Sequence, residues 1–350
     1  MKRHLIFIVL VFLLIIPVQA QPDPLQVIAT TTIIADVAQN VGGDLVEVSS
    51  LVPVDTDIHA FQPVPQDVAR VADADLILVN GAGLEAFLGG LVENAAAVEM
   101  VVVSNGVEVL SFSDSHAHEA EEDHDEGEAV HEDEHLGGEH LGVLGVDAAC
   151  EAEAHEDEAH EEETDHAEED HEHGACDPHF WTDPNNVSIW AGNIAEAFAA
   201  ADPANAETYR ANAVAYQEAL AALDTEIQAQ VAELPESNRV IVTNHEFLGY
   251  FAYHYGFDVV GTVIPSLSTL AEPSPQEVAE LIEIVQAEGV RAIFAEVSDP
   301  GRLADIVAAD AGDVQVVTLY SDALSSADGP AATYLDYLRY NAGAIISALS

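Results

Sequence analysis

The chain has 350 residues, 49% of them hydrophobic, with 64 acidic side chains against 8 basic ones and a formal charge of −56. That apolar content is enough for two domains of ordinary size and excludes a wholly disordered chain. So acidic a balance excludes nucleic acid and anionic membranes as partners and favours cations.

Residues 1–20 read as a secretory signal. Lys2 and Arg3 precede an apolar stretch over 5–16, and Val18-Gln19-Ala20 offers a small-residue cleavage site. An apolar run of about twelve residues is too short to cross a bilayer. Export to a periplasmic or extracellular space, with cleavage after Ala20, is the expectation. No cysteine follows the stretch, which argues against a lipid-anchored form. Past the signal there are six arginines and no lysine.

From there short apolar runs alternate with amphipathic ones. "LQVIATT" predicts a strand, "IIADVAQNVGG" a helix closed by glycine, and "VEVSSLV" a second strand. "PQDVARVADAD" reads as a helix, "LILVNG" as a buried strand, "GLEAFLGGLVENAA" as a helix and "VEMVVVSNG" as a further strand. Runs this continuous in apolar residues predict a parallel sheet covered by helices on both faces.

Between residues 113 and 174 this grammar stops. Histidine, glutamate and aspartate dominate, and eleven of the sixteen histidines fall here. The composition predicts a disordered insert, because it offers too little apolar surface to fold. Its histidines are His116, His118, His124, His131, His135, His140, His155, His160, His166, His171 and His173. Set among carboxylates, they are candidates for weak, labile, pH-dependent auxiliary metal sites. Cys150 and Cys176 lie in or beside the insert. An oxidising compartment favours a disulfide between them, with a thiolate metal site and free thiols as the other readings.

"DPHFWTDPNNVSIWAGNIAEAFAAADP" restores regular structure, and "ANAETYRANAVAYQEALAALDTEIQAQVAELPE" predicts one long helix acting as a rigid strut. The second half then repeats the first. "RVIVTNH", "FDVVGTVI", "RAIFAEV" and "VQVVTLY" read as strands. "EFLGYFAYHYG", "SPQEVAELIEIVQAEGV", "PGRLADIVAADAG" and "PAATYLDYLRYNAGAIISALS" read as helices. The fold class is α/β: two lobes, each with a mainly parallel sheet flanked by helices, joined by one long rigid helix. The boundaries are an N-terminal lobe over 25–203, a connecting helix over 204–233 and a C-terminal lobe over 238–350.

Outside signal and insert only four histidines remain: His59, His179, His245 and His254. His59 follows the strand "VEVSSLV", His179 sits in the proline-bounded "DPHFWTDP", and His245 ends "RVIVTNH". Ligands of open α/β sheets collect beyond the carboxyl ends of the strands, so these three are candidate metal ligands. His254, within "EFLGYFAYHYG", reads instead as a satisfied core residue. Three imidazoles and one carboxylate complete a tetrahedral site of the kind zinc favours. Asp322 in "VVTLYSDALSS" and Glu296 in "AIFAEVSDP" both stand at strand ends, and either alone would equally serve as a helix cap.

The segments "LVPVDTDIHAFQPVPQDVARVADADLILVNGAGLE", "DPHFWTDP", "VTNHEFLGYFAYHYG" and "TLYSDALS" together resemble those of the zinc and manganese receptors of ABC importers, the cluster A-I solute-binding proteins. The likeness extends over nearly all of the chain past the signal. It implies two lobes about a rigid helix, with one metal ion between them on His59, His179, His245 and Asp322, and Glu296 behind the ligands. It implies a monomer that hands its ion to a membrane permease driven by an ATPase subunit. Manganese members commonly carry glutamate where this chain has His245, which points to zinc, with manganese as the alternative cargo. Ile58 departs from zinc receptors that carry glutamate before the first histidine, leaving Asp322 as the fourth ligand.

Other functions with the same fold are an adhesin or a free-standing zinc buffer. A secreted zinc hydrolase is disfavoured: "NHEF" opens like a zincin motif, but position 249 is glycine, so the second histidine of HExxH is missing. If insert and tight site are separate, deleting residues 113–174 leaves one high-affinity zinc site and lowers the total zinc bound, as counted by equilibrium dialysis.

Overall fold

The computed structural model describes residues 23–85, 98–110, 150, 176–266, 269–298, 302–312 and 314–350. The signal segment, all but the first three residues of "GLEAFLGGLVENAA", and the insert apart from Cys150 lie outside the described residues.

In the first half, β1 (Leu25–Ala29), β2 (Val46–Ser50), β3 (Leu76–Val79) and β4 (Glu99–Val102) form one sheet in the order β2-β1-β3-β4. Every pairing is parallel. In the second half, β5 (Val240–Thr243), β6 (Asp258–Thr262), β7 (Ala292–Glu296) and β8 (Gln315–Leu319) repeat that order as β6-β5-β7-β8, again all parallel. Apolar patterning follows position in the sheet. Central β3 and β7 are buried at every residue, because helices or loops cover both faces, whereas edge strand β2 alternates.

The helices are stopped and started by local chemistry. In α1 (Thr32–Gly42) the Thr31 hydroxyl accepts from the Ile34 amide at 3.1 Å, and Gly43 ends the helix with a φ of 58°. In α2 (Pro65–Ala72) the Asp67 carboxylate accepts from the Val64 amide at 2.9 Å. After α3 (Pro184–Ala201) a short 3-10 turn, Pro203–Asn205, reverses the chain into α4 (Ala206–Val231). At 26 residues α4 is about 39 Å long. Its buried residues, Tyr209, Ala213, Tyr216, Leu220, Leu223, Ile227 and Val231, recur every three or four positions and make one apolar stripe along its whole length. The second half adds α5 (Gly249–Tyr255), α6 (Pro275–Glu288), α7 (Arg302–Ala311) and α8 (Tyr334–Leu349).

The strut expected from sequence is present, yet it is not the sole link. One apolar cluster contains Val27, Leu76 and Leu78 of the first sheet and Ile241, Phe294 and Leu319 of the second. Trp190 and Phe198 of α3, the α4 stripe, and Tyr337 and Ile345 of α8 belong to the same cluster. The outer sheet faces have smaller cores, under α2 in the first half and under α6 and α7 in the second. Polar bonds also cross between the halves: the Tyr334 amide donates to Asp36 at 3.0 Å, the Leu324 amide to the Thr32 hydroxyl at 2.8 Å, and Trp181 Nε1 to the Ser321 carbonyl at 2.9 Å. A shared core resists a wide hinge, since separating the halves would expose apolar surface on both. Calorimetry of the metal-free protein is therefore expected to show a single unfolding transition. Phe198→Ala should lower it as a whole, by about 3–5 kcal/mol of stability; two resolved transitions with only one displaced would contradict the shared core.

Candidate metal centre

The site lies where the carboxyl ends of both sheets face one another. His59 is carried by the loop between β2 and α2, His245 stands two residues past β5, Glu296 is the last residue of β7, and Asp322 lies just beyond β8. His179 enters from the side, at the start of the 3-10 turn Phe180–Thr182 that leads into α3. Two Asp-x-His turns set the backbone. The His59 amide donates to Asp57 Oδ1 at 2.8 Å, and the His179 amide to Asp177 Oδ1 at 2.9 Å.

Ligand atoms of His59, His179, His245 and Asp322 all lie within 4.8 Å of one another, the one such group of metal-binding side chains among the described residues. His179 Nε2 is 3.2 Å from His245 Nε2 and 3.9 Å from Asp322 Oδ1, while His59 Nε2 is 3.9 Å from Asp322 Oδ2. A tetrahedral zinc site with bonds of about 2.0–2.1 Å places its donors about 3.3–3.5 Å apart, so small inward shifts close this set around one ion. Among the described residues, neither oxygen of Asp322 nor Nε2 of His59 has a hydrogen-bond partner, although all three atoms are buried. Buried polar atoms left so are costly unless a further group satisfies them.

In His179 and His245 the ring atoms turned away from this centre are satisfied. His179 Nδ1 lies 2.7 Å from Asp177 Oδ1, and His245 Nδ1 lies 2.5 Å from Glu296 Oε1. Glu296 also accepts from the Ser321 hydroxyl at 2.6 Å and the Asn244 amide at 3.2 Å. A carboxylate behind each of these two imidazoles assigns the proton to Nδ1 and leaves Nε2 directed at the centre. Trp181 meets His179 edge-on at 5.2 Å, and Phe247 stacks on His245 at 5.3 Å, which fixes the ring planes.

Burial governs the charge of each group. It pushes His59 down to about 3, aided by His179 and His245, and His179 well below the usual imidazole range, aided by His245. It raises Asp322 to about 8, against the attraction of His245. For His245, burial opposes the charge, but the Glu296 carboxylate outweighs it and holds the imidazole at about 9. Two of the four candidate ligands are thus neutral bases, and the other two carry protons near neutrality.

The family model described as ZnuA, zinc-uptake complex component A, periplasmic, matches residues 27–348. The chain belongs to this family. It is 29% identical over 328 residues to the manganese-binding lipoprotein MntA of Halalkalibacterium halodurans, covering 94% of this chain and 89% of that relative. It is 30% identical over 333 residues to the metal ABC transporter substrate-binding lipoprotein ScbA of Streptococcus cristatus, covering 93% and 89%. The periplasmic zinc binding protein TroA from Treponema pallidum shares the fold, with a TM-score of 0.71 at 24% identity over 94% of this chain and all of that one. Members of the family are metal-binding receptors of ABC transporters and not enzymes, and this chain is one of them. No described helix is long and apolar enough to cross a membrane.

The structure brings together the three histidines and Asp322, and turns Glu296 onto His245 rather than toward the centre. Ile58 is fully buried in the shared core, an apolar peg beside His59. His254 needs correction. It is no core residue: its side chain is 22% exposed in the last turn of α5, where Nε2 pairs with Asp224 of α4 at 2.7 Å and Nδ1 is 3.8 Å from Asp183. In the last turn of α5 it faces the Asp224 carboxylate, so the imidazole bridges α5 to α4 instead. Cys150 and Cys176 are joined in a disulfide. Asp57, Asp177, Asn244 and Ser321 were not read from sequence as site residues. An aspartate two positions before each histidine, in "DIH" and "DPH", was the available signal for the first two.

Because Asp322 and His245 hold protons up to about 8 and about 9, an ion entering at neutral pH must displace them. Affinity at the tight site should therefore climb from pH 7 to 9 and level off above, while His59 and His179, already neutral, add no slope. Binding enthalpies measured in buffers of different ionisation enthalpy should show at least one proton released per ion at pH 7; a pH-independent affinity would contradict this charge assignment.

Proposed function

We propose that the protein is the exported zinc receptor of an ABC importer, taking one Zn2+ between its two halves and handing it to a membrane permease powered by an ATPase subunit. The carrying observation is the convergence of three imidazoles and one carboxylate, with Nε2 of His59 and both oxygens of Asp322 buried and without a hydrogen-bond partner among the described residues. Three nitrogen donors with one oxygen suit zinc, whereas manganese prefers oxygen-rich sites. Imidazole at position 245 supports zinc; MntA, named for manganese, supports the mixed-metal alternative. In this reading residues 1–20 are removed on export, 25–203 and 238–350 act as two lobes about the helix over 204–233, and the receptor works as a monomer. The histidines of the insert gather further ions weakly.

Capture needs no chemical conversion. Neutral His59 and His179 offer lone pairs without prior deprotonation, and the carboxylates behind His179 and His245 keep their rings aimed. The shared core limits motion on release to loops and small lobe shifts.

Competitive titration with zinc and manganese tests the proposal: zinc is expected to win at the tight site. His59→Ala and His179→Ala should each weaken zinc binding by more than about 100-fold, since loss of a group that only orients a ligand already costs ~10–100-fold. His254→Ala should leave it intact. Undiminished affinity in Asp322→Ala would assign the fourth donor to Glu296 or a water.

A further inference from the structure

The three histidines are not held alike. The rings of His179 and His245 each have a carboxylate at Nδ1, whereas among the described residues the His59 ring makes no hydrogen bond. His59 is also the one candidate ligand with measurable side-chain exposure, 10% against 0% for the other three. It is placed through its backbone. Asp57 Oδ1 accepts from the His59 amide at 2.8 Å and from the Ala60 amide at 3.4 Å.

Asp57 has a second oxygen, and that oxygen is bonded across the cleft. The Thr269 hydroxyl, from the segment between β6 and α6, donates to Asp57 Oδ2 at 2.5 Å. One carboxylate therefore ties the His59 backbone to the opposite half of the molecule. On its own side the loop is pegged by Ile58, fully buried in the shared core. Asp55 in the same loop sits in the left-handed region with a φ of 54°, a conformation maintained by surrounding contacts more than by local preference.

We propose that the Asp57–Thr269 hydrogen bond is a latch across the cleft mouth that sets how fast a bound cation leaves, by fixing the loop that carries its most exposed ligand. The inference rests on the receptor reading above. Asp57 acts through His59 and is a positioning residue; Thr269 holds Asp57. With Ile58 anchoring the loop, loss of the latch frees the rim without unfolding the site. Hydroxyl-to-carboxylate bonds are among the stronger class, so breaking this one should speed release by about tenfold.

Stopped-flow transfer of Zn2+ from protein spanning residues 21–350 to an excess of chromophoric chelator reads the release rate, and mixing with free Zn2+ reads capture. Release from the insert is recognised as the phase that persists in His179→Ala. Thr269→Val is expected to accelerate the tight-site phase about tenfold, with capture and thermal midpoint little changed, and Thr269→Ser to restore the original rate. Release from Thr269→Val within about twofold of the unaltered protein overturns the latch. A Thr269→Ser protein that releases as fast as Thr269→Val also overturns it, by showing that side-chain volume and not the hydroxyl is at work. Absence of any tight Zn2+ or Mn2+ binding by the unaltered protein would instead sink the receptor reading on which the latch depends.

Discussion

Everything around the cleft depends on keeping a buried carboxylate apart from any ordinary partner. Both oxygens of Asp322 are shielded from solvent and have no hydrogen-bond partner among the described residues, while three imidazoles stand a few ångströms away. Left to relax, such a group would draw in a donor or admit water, because an unpaired polar atom in a dry setting is costly. The surrounding framework prevents that collapse. Its rigidity is what keeps four donors at near-coordinating distance.

That framework is the shared core. Two sheets of identical strand order present their carboxyl ends to each other, and the α4 stripe, α3 and α8 fill the space behind both. Aromatic side chains then convert core packing into ligand placement. Trp181, wholly buried next to His179, donates to the Ser321 carbonyl beside Asp322, and the Tyr334 and Tyr337 hydroxyls donate to the Trp181 and Ser321 carbonyls. First-half and second-half candidate ligands are therefore cross-braced through backbone carbonyls, with little dependence on flexible side chains.

Electrostatic roles divide along the same lines. Burial alone would neutralise every ionisable group in the cleft, and for His59, His179 and Asp322 it dominates. His245 and Glu296 escape by pairing, which lowers the carboxyl to about 2 even though burial opposes its charge. The centre thus combines pre-formed neutral donors with groups that exchange protons for the ion, a mixture suited to reversible binding of a divalent cation.

Read from the sequence alone, the described strands and helices and the parallel alternation of both halves were legible, because they follow from local periodicity and from caps such as Thr31 and Gly43. The three histidines that meet in the cleft were legible as candidates too, since each lies at or near the end of an apolar strand or in a proline-bounded loop. The choice between Asp322 and Glu296 was not settled by the residues themselves. Both close neighbouring strands, and only the folded protein turns Glu296 toward His245, Asn244 and Ser321 while aiming Asp322 at the imidazole Nε2 atoms. The same holds for the partner of His254, for the Cys150–Cys176 disulfide and for the bond between Asp57 and Thr269, which are 212 residues apart. Local propensity determines which elements form. Which side chains meet across the cleft depends on how two separately patterned sheets dock on one core, and that contact exists only in the tertiary structure.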